Sequence, residues 1–282
     1  MYKDGKWAKE LIAAQRPDGS WGPFHTLSAP RGKGALSTEQ ALRRLAILGY
    51  TYEDAPMRLA IDHLRACLAG RERLQDNREV TLDWDIFTEL MLSTWIRLFT
   101  TGDENANATA ARWARIATAA FSSGAFRIED YNAAYDEVFS GWPRGKKRVS
   151  FGSFYLAALL PGALNCAAER RVIYYFLTLP NGIYYLATGR LCEPPADFRS
   201  REASRYLAAW ELLARYASGT AALRFAADWL EAHRDGDGSW DMGPQARDGV
   251  YFPLSDSWRS AALRRADCTY RVERLLRRLE IQ

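Results

Sequence analysis

QRPDGSWG (Gln15 to Gly22) returns near the other end of the chain as RDGDGSWD (Arg234 to Asp241), and Asp-Gly-Ser-Trp occurs nowhere between them. Each copy follows a segment with helical periodicity. Glycine just past a helix C-terminus supplies the left-handed turn that stops the helix. Gly19, Gly70, Gly124, Gly182 and Gly238 all follow such segments, at separations of 51, 54, 58 and 56 residues. Four of them carry an aromatic two places on (Trp21, Phe126, Tyr184, Trp240), and Gly70 carries Glu72 instead. A period in the fifties with two helices per unit marks a helical repeat. The aromatic is expected to fill the gap between the two helices it joins.

Working outward, helical periodicity covers Asp4–Gln15, Ser37–Leu48, Pro56–Ala69, Asp83–Phe99, Asn105–Phe121, Phe151–Leu160, Ala167–Leu177, Arg201–Tyr216, Ala221–His233 and Ala266–Leu279, with a weaker segment at Glu129–Phe139. Strand alternation is nearly absent, so the chain reads as all-α. Ser37 and Gln40 fit a capping box. The outer two units also share Phe24-x-x-Leu27-Ser28 and Tyr251-x-x-Leu254-Ser255. In an open array the terminal repeats differ from the middle ones. Here they resemble each other, which points to a ring: one α/α toroid domain, residues 1–282, of five to six helical hairpins.

The residues around each copy carry a resemblance. A basic or small residue, an aromatic, an aliphatic, Gln, Gly and Trp at set spacing form the QW repeat of the squalene-cyclase and protein-prenyltransferase superfamily. The first unit is similar at Lys6, Leu11, Gln15, Gly19 and Trp21, and the last at Ala226, Trp229, Leu230, Gly238 and Trp240. The resemblance implies an α/α toroid and an isoprenoid-like ligand. Cyclases of this superfamily protonate an alkene from an Asp-x-Asp-Asp run, and this chain has Leu82-Asp83-Trp84-Asp85-Ile86, without the fourth acid. The prenyltransferases hold zinc with Asp, Cys and His. Here Asp267 and Cys268 are adjacent and no histidine follows.

Composition narrows the classes. Apolar residues make up 48% and the formal charge is +4, too little to argue for a nucleic-acid partner. Four dispersed cysteines and three histidines are poor material for a zinc site or a disulfide framework, so no metal and no cofactor is assigned, and reduced thiols suggest the cytoplasm. The charged N-terminal stretch lacks a signal-peptide core, and no apolar run is long enough for a membrane span. Arg31-Gly-Lys-Gly34 lacks the order of a phosphate loop. Asp267, Arg271, Arg274 and Arg278 share one helical face, read as solvated or salt-bridged.

In such a ring the second helices run parallel, and their N-termini share one end with the long loops, where the site is expected. Asp85, Glu89, Ser93 and Arg97 recur at i+4 on an otherwise apolar helix, with Asp83 as its cap. Asp85, Glu89 and Glu202 are therefore the candidate catalytic acids, with a Glu89–Arg97 or inter-helix salt bridge as the structural reading. Glu202 and Arg205 are spaced to pair, and Glu39 sits where a helix dipole stabilises a carboxylate. Trp84, Arg205, Tyr184, Tyr185, Trp258 and Asp267 are the candidate ligand-binding residues, aromatic faces beside charge suiting sugars or isoprenoid chains. Trp142 beside Arg144 adds to that set, and His25 is a candidate proton shuttle. Three functions are open: an isoprenoid enzyme or binder, a carbohydrate-active hydrolase or lyase using a carboxylate pair, and a non-catalytic protein-interaction module.

Overall fold

All five repeat glycines have positive φ, between +65° and +102°. The computed structural model describes residues 2–26, 36–76, 80–140 and 145–280. Leu27, Ser28, Arg31–Gly34, Trp142 and Arg144 lie outside the described residues. The helices are α1 (Lys6–Ala13), α2 (Thr38–Ile47), α3 (Ala55–Leu68), α4 (Trp84–Phe99), α5 (Glu104–Ala120), α6 (Ile128–Val138), α7 (Phe154–Leu159), α8 (Cys166–Thr178), α9 (Arg201–Leu213), α10 (Gly219–Ala222), α11 (Arg224–Ala232) and α12 (Ala261–Glu280). The chain is all-α: no strand occurs among the described residues, and two isolated bridges join Leu82 to Lys147 and Ser153 to Tyr184.

Short polar side chains start the helices by accepting from otherwise unbonded backbone N–H groups. Asp83 caps α4, Asp103 caps α5, Ser153 caps α7, Asn165 caps α8 and Ser200 caps α9. The Ser37–Gln40 capping box starts α2.

The two Asp-Gly-Ser-Trp turns are built alike. In each, the aspartate accepts from the backbone N–H and hydroxyl of the serine two places on. The tryptophan then reaches both helices. Trp21 donates from Nε1 to Leu11 O at 2.7 Å and from its backbone N–H to Thr38 Oγ1 at 3.0 Å. Trp240 makes the matching bonds, at the same lengths, to Leu230 O and Thr269 Oγ1. The indole thus binds a carbonyl in the last turn of the first helix, and the same residue's backbone N–H binds a threonine of the second, at the start of α2 and inside α12. Phe126 instead packs among Phe121, Phe151 and Tyr175. Tyr184 does not fill its gap. It is 60% exposed, and buried Ile183 turns inward beside it.

One apolar cluster runs from Ala8 to Leu279 and draws on every long helix. Within it α4 packs on α7, α7 on α9 and α9 on α12. All six residues of α7 are buried. The N-terminal segment lies against the stretch before α12: Trp7 Nε1 donates to Ser255 O at 2.9 Å, Lys6 N to Asp256 Oδ1 at 2.8 Å, and the Tyr2 and Tyr270 rings meet edge to face.

The paired turns differ in one testable respect. A Cβ on Gly19 would stand 2.5 Å from the Leu59 backbone oxygen, whereas one on Gly238 meets nothing within 4 Å. Gly238→Ala is expected to cost only the left-handed backbone penalty, about 1–2 kcal/mol. Gly19→Ala adds a forced backbone shift, a further ~1–3 kcal/mol. Denaturant midpoints of the two variants measure the gap, and equal losses would contradict the described packing.

Candidate functional site

The last carbonyls of a helix have no partner within it. In this fold arginines supply one. Arg97 donates to Leu159 O and Pro161 O at the end of α7, Arg215 to Arg97 O and Leu98 O at the end of α4, and Arg278 to Glu211 O near the end of α9. A cavity of about 350 Å³ lies among these ends, bounded by the C-terminal turns of α2, α4, α9 and α12. Its walls are apolar, with Trp95, Phe99, Phe154 and Leu212. Its charged groups are Arg43, Arg215, Arg274, Arg278 and a single carboxylate, Glu211.

That carboxylate is already shared. Glu211 Oε2 accepts from Arg271 at 2.7 Å and Oε1 from Arg274 at 3.0 Å. Arg271 is fully buried, with its guanidinium over the Phe252 and Tyr251 rings. Burial alone would raise the Glu211 pKa, but Arg271 and Arg274 outweigh it and hold the group below the usual carboxylate range. Arg43 lies over Phe154 and donates to the Tyr251 hydroxyl. Arg215 has no such compensation. Burial first, then the neighbouring Arg278 and Arg97 charges, push it down to about 10. Its Nε is buried without a hydrogen-bond partner among the described residues. Arg43 lies 3.8 Å from Glu39 and Arg274 pairs with Glu211, so among the described residues Arg215 and Arg278 are the cavity arginines that face no carboxylate.

A second polar centre sits at the other end of α2. Glu39 is buried, and its carboxylate accepts from the Thr26 N–H and hydroxyl, from Trp95 Nε1 at 3.1 Å and from the Tyr155 hydroxyl at 2.9 Å. Burial opposes its charge, but Arg43, Thr26 and His25 outweigh burial and lower its pKa. His25 packs against Phe87, Tyr155 and Tyr185, a set of rings that fills this region. Tyr185 holds a left-handed φ of 72° there.

The expected residues are scattered. Asp83 is the α4 cap, as read, and Asp85 beside it is exposed. Glu89 pairs with Arg112 of α5 and accepts from Thr109, so its bridge crosses between helices and does not reach Arg97. Arg97 is occupied with α7 and with Asn107. Beyond exposed Asp85, the stripe on α4 therefore faces seams between helices, and none of it lines the cavity. Glu202 and Arg205 are exposed on α9, and no ion pair joins them among the described residues. Trp84 packs on the edge of the core, and the Tyr184 ring meets Tyr185 at a tilt of 46°. Trp258 and Asp267 do meet: Asp267 Oδ2 accepts from Trp258 Nε1 at 2.6 Å and from the backbone N–H groups of Leu254 and Ser255. Both are buried and anchor the loop.

The cavity's own residues went unselected, although their spacing was visible. Ser204, Ala208, Glu211 and Arg215 recur at i, i+4, i+7 and i+11, the same intervals as Asp267, Arg271, Arg274 and Arg278. That second face is salt-bridged and turned inward. No family model matches the chain, and neither a curated protein nor a solved structure matches it.

The Glu211 pair makes a pH prediction. A carboxylate whose folded pKa lies below its unfolded value of about 4.3 adds stability above that value and loses it as pH falls through the folded pKa. Glu211→Gln strands buried Arg271, which costs about 3–5 kcal/mol at neutral pH. The difference in Tm between wild type and variant is expected to be widest near pH 7 and to narrow below about pH 4. Calorimetry across that range measures it, and a constant gap would contradict the ionised pair.

Proposed function

We propose that the chain is an α/α toroid that binds an organic anion with an apolar body in the cavity at the C-terminal ends of its second helices. The toroid reading is supported by the meeting of the chain ends, by the succession of α4, α7, α9 and α12, and by the matched turns in the first and last units. Its single core supports one domain.

The observation that carries the ligand class is the imbalance of charge in an apolar-walled space. Of the four guanidinium groups, Arg43 is met by Glu39 and Arg274 by Glu211, while Arg215 and Arg278 have no carboxylate partner among the described residues, beside Trp95, Phe99 and Phe154. Arginine forks suit carboxylate and phosphate. A volume of about 350 Å³ lies in the range of small-molecule sites. The QW-like turns favour an isoprenoid body, which the aromatic walls fit. No reaction is assigned, because Asp85, Glu89 and Glu202 do not line this cavity.

Thermal shift tests the reading with an isoprenyl diphosphate, a long-chain fatty acid, the neutral isoprenyl alcohol and an oligosaccharide. At ~100 times its dissociation constant a ligand adds ~2.7 kcal/mol, a rise of roughly 5–11 °C. The two anions are expected to raise Tm, the alcohol less, and Arg278→Met, at the rim, to reduce the anion response by half or more. Stabilisation by the oligosaccharide alone would replace this reading with a carbohydrate one.

A further inference from the structure

Glu72 stands where four of the five repeat turns carry an aromatic. It reaches back to α3, where His63 and Cys67 sit one turn apart, so that the donor atoms of all three lie within 4.8 Å of one another. The His63 ring is buried, with Nδ1 2.6 Å from Glu72 Oε2 and Nε2 3.7 Å from Cys67 Sγ.

These two distances mean different things. A tetrahedral ion with a metal–nitrogen bond of ~2.05 Å and a metal–oxygen bond of similar length holds the two donors ~3.3 Å apart. At 2.6 Å the Nδ1–Glu72 contact is therefore a direct hydrogen bond. A metal–sulfur bond of ~2.3 Å puts nitrogen and sulfur ~3.6 Å apart, close to the separation of Nε2 and Sγ. An Nδ1–H donated to Glu72 leaves the Nε2 lone pair facing the sulfur, the arrangement by which carboxylates orient metal-binding histidines. Glu72 lies against His63, and Asp18 places a further carboxylate near the pair. Asp18 belongs to the first Asp-Gly-Ser-Trp turn, which packs on α3 through Gly19.

We propose that His63 Nε2 and Cys67 Sγ chelate one zinc-class divalent cation, with Glu72 orienting the imidazole and water filling the remaining positions. Nitrogen and sulfur donors select such ions over calcium or magnesium. Binding replaces the thiol S–H by a metal–sulfur bond, and the proton leaves to solvent. The site lies on a first helix, apart from the arginine-lined cavity, and stands or falls independently of its ligand.

The test titrates the full chain with cadmium, following the thiolate-to-metal absorption band in the near ultraviolet, and with zinc by calorimetry. One ion per chain is expected. The band is expected to vanish in Cys67→Ser, and zinc to bind about 10–100-fold more weakly in Glu72→Gln. Absence of the band in wild type would overturn the proposal. So would a band that survives Cys67→Ser and is lost in Cys166→Ala, which removes the exposed thiol.

Discussion

The demand of helix C-termini for hydrogen-bond donors governs this structure. Four helix ends surround one cavity, each the negative end of a dipole. The chain uses arginine, whose planar fork reaches two carbonyls at once, as Arg97 does at α7 and Arg215 at α4. Each such residue brings a full charge where the carbonyls call for partial ones. Glu211 offsets part of the excess through Arg271 and Arg274. The remainder is the basis for proposing an anionic ligand.

Two buried carboxylates tie loops to second helices, Glu39 in the first turn of α2 and Asp267 inside α12. Glu39 accepts from the Thr26 backbone thirteen residues upstream and from an indole, and Asp267 accepts from the Leu254 backbone at the same interval and from another indole. In both places a buried acid ties the long loop of its unit to the second helix. Arg43, one turn after Glu39, links this anchor to the cavity wall.

Local order was legible because local chemistry decides it. Every segment with helical periodicity became a helix, and the glycine turns and the caps at Ser37 and Asp83 lie where they were read. Boundaries moved where tertiary contact intervenes: α12 begins at Ala261, ahead of its apolar stripe, and the segment read as Ala221–His233 breaks into α10 and α11. The site was less legible. An i+4 stripe shows that residues share a face, but not which neighbour that face meets. Asp85, Glu89 and Arg97 form such a stripe; Asp85 is exposed, α5 meets Glu89 and α7 meets Arg97. Glu39, whose sequence position offers only a helix dipole to stabilise it, is the buried hub that joins α2 to α4 and α7. His63, Cys67 and Glu72 were invisible as a cluster because a helix and a turn had to be folded before they met.

The most direct measurement is a crystal structure of the chain with a long-chain carboxylate brominated at its far end, read by anomalous scattering. The account predicts the carboxylate among Arg43, Arg215 and Arg278, with bromine against Trp95 or Phe99. Bromine outside the cavity, with side chains or water alone between the arginines, would contradict it.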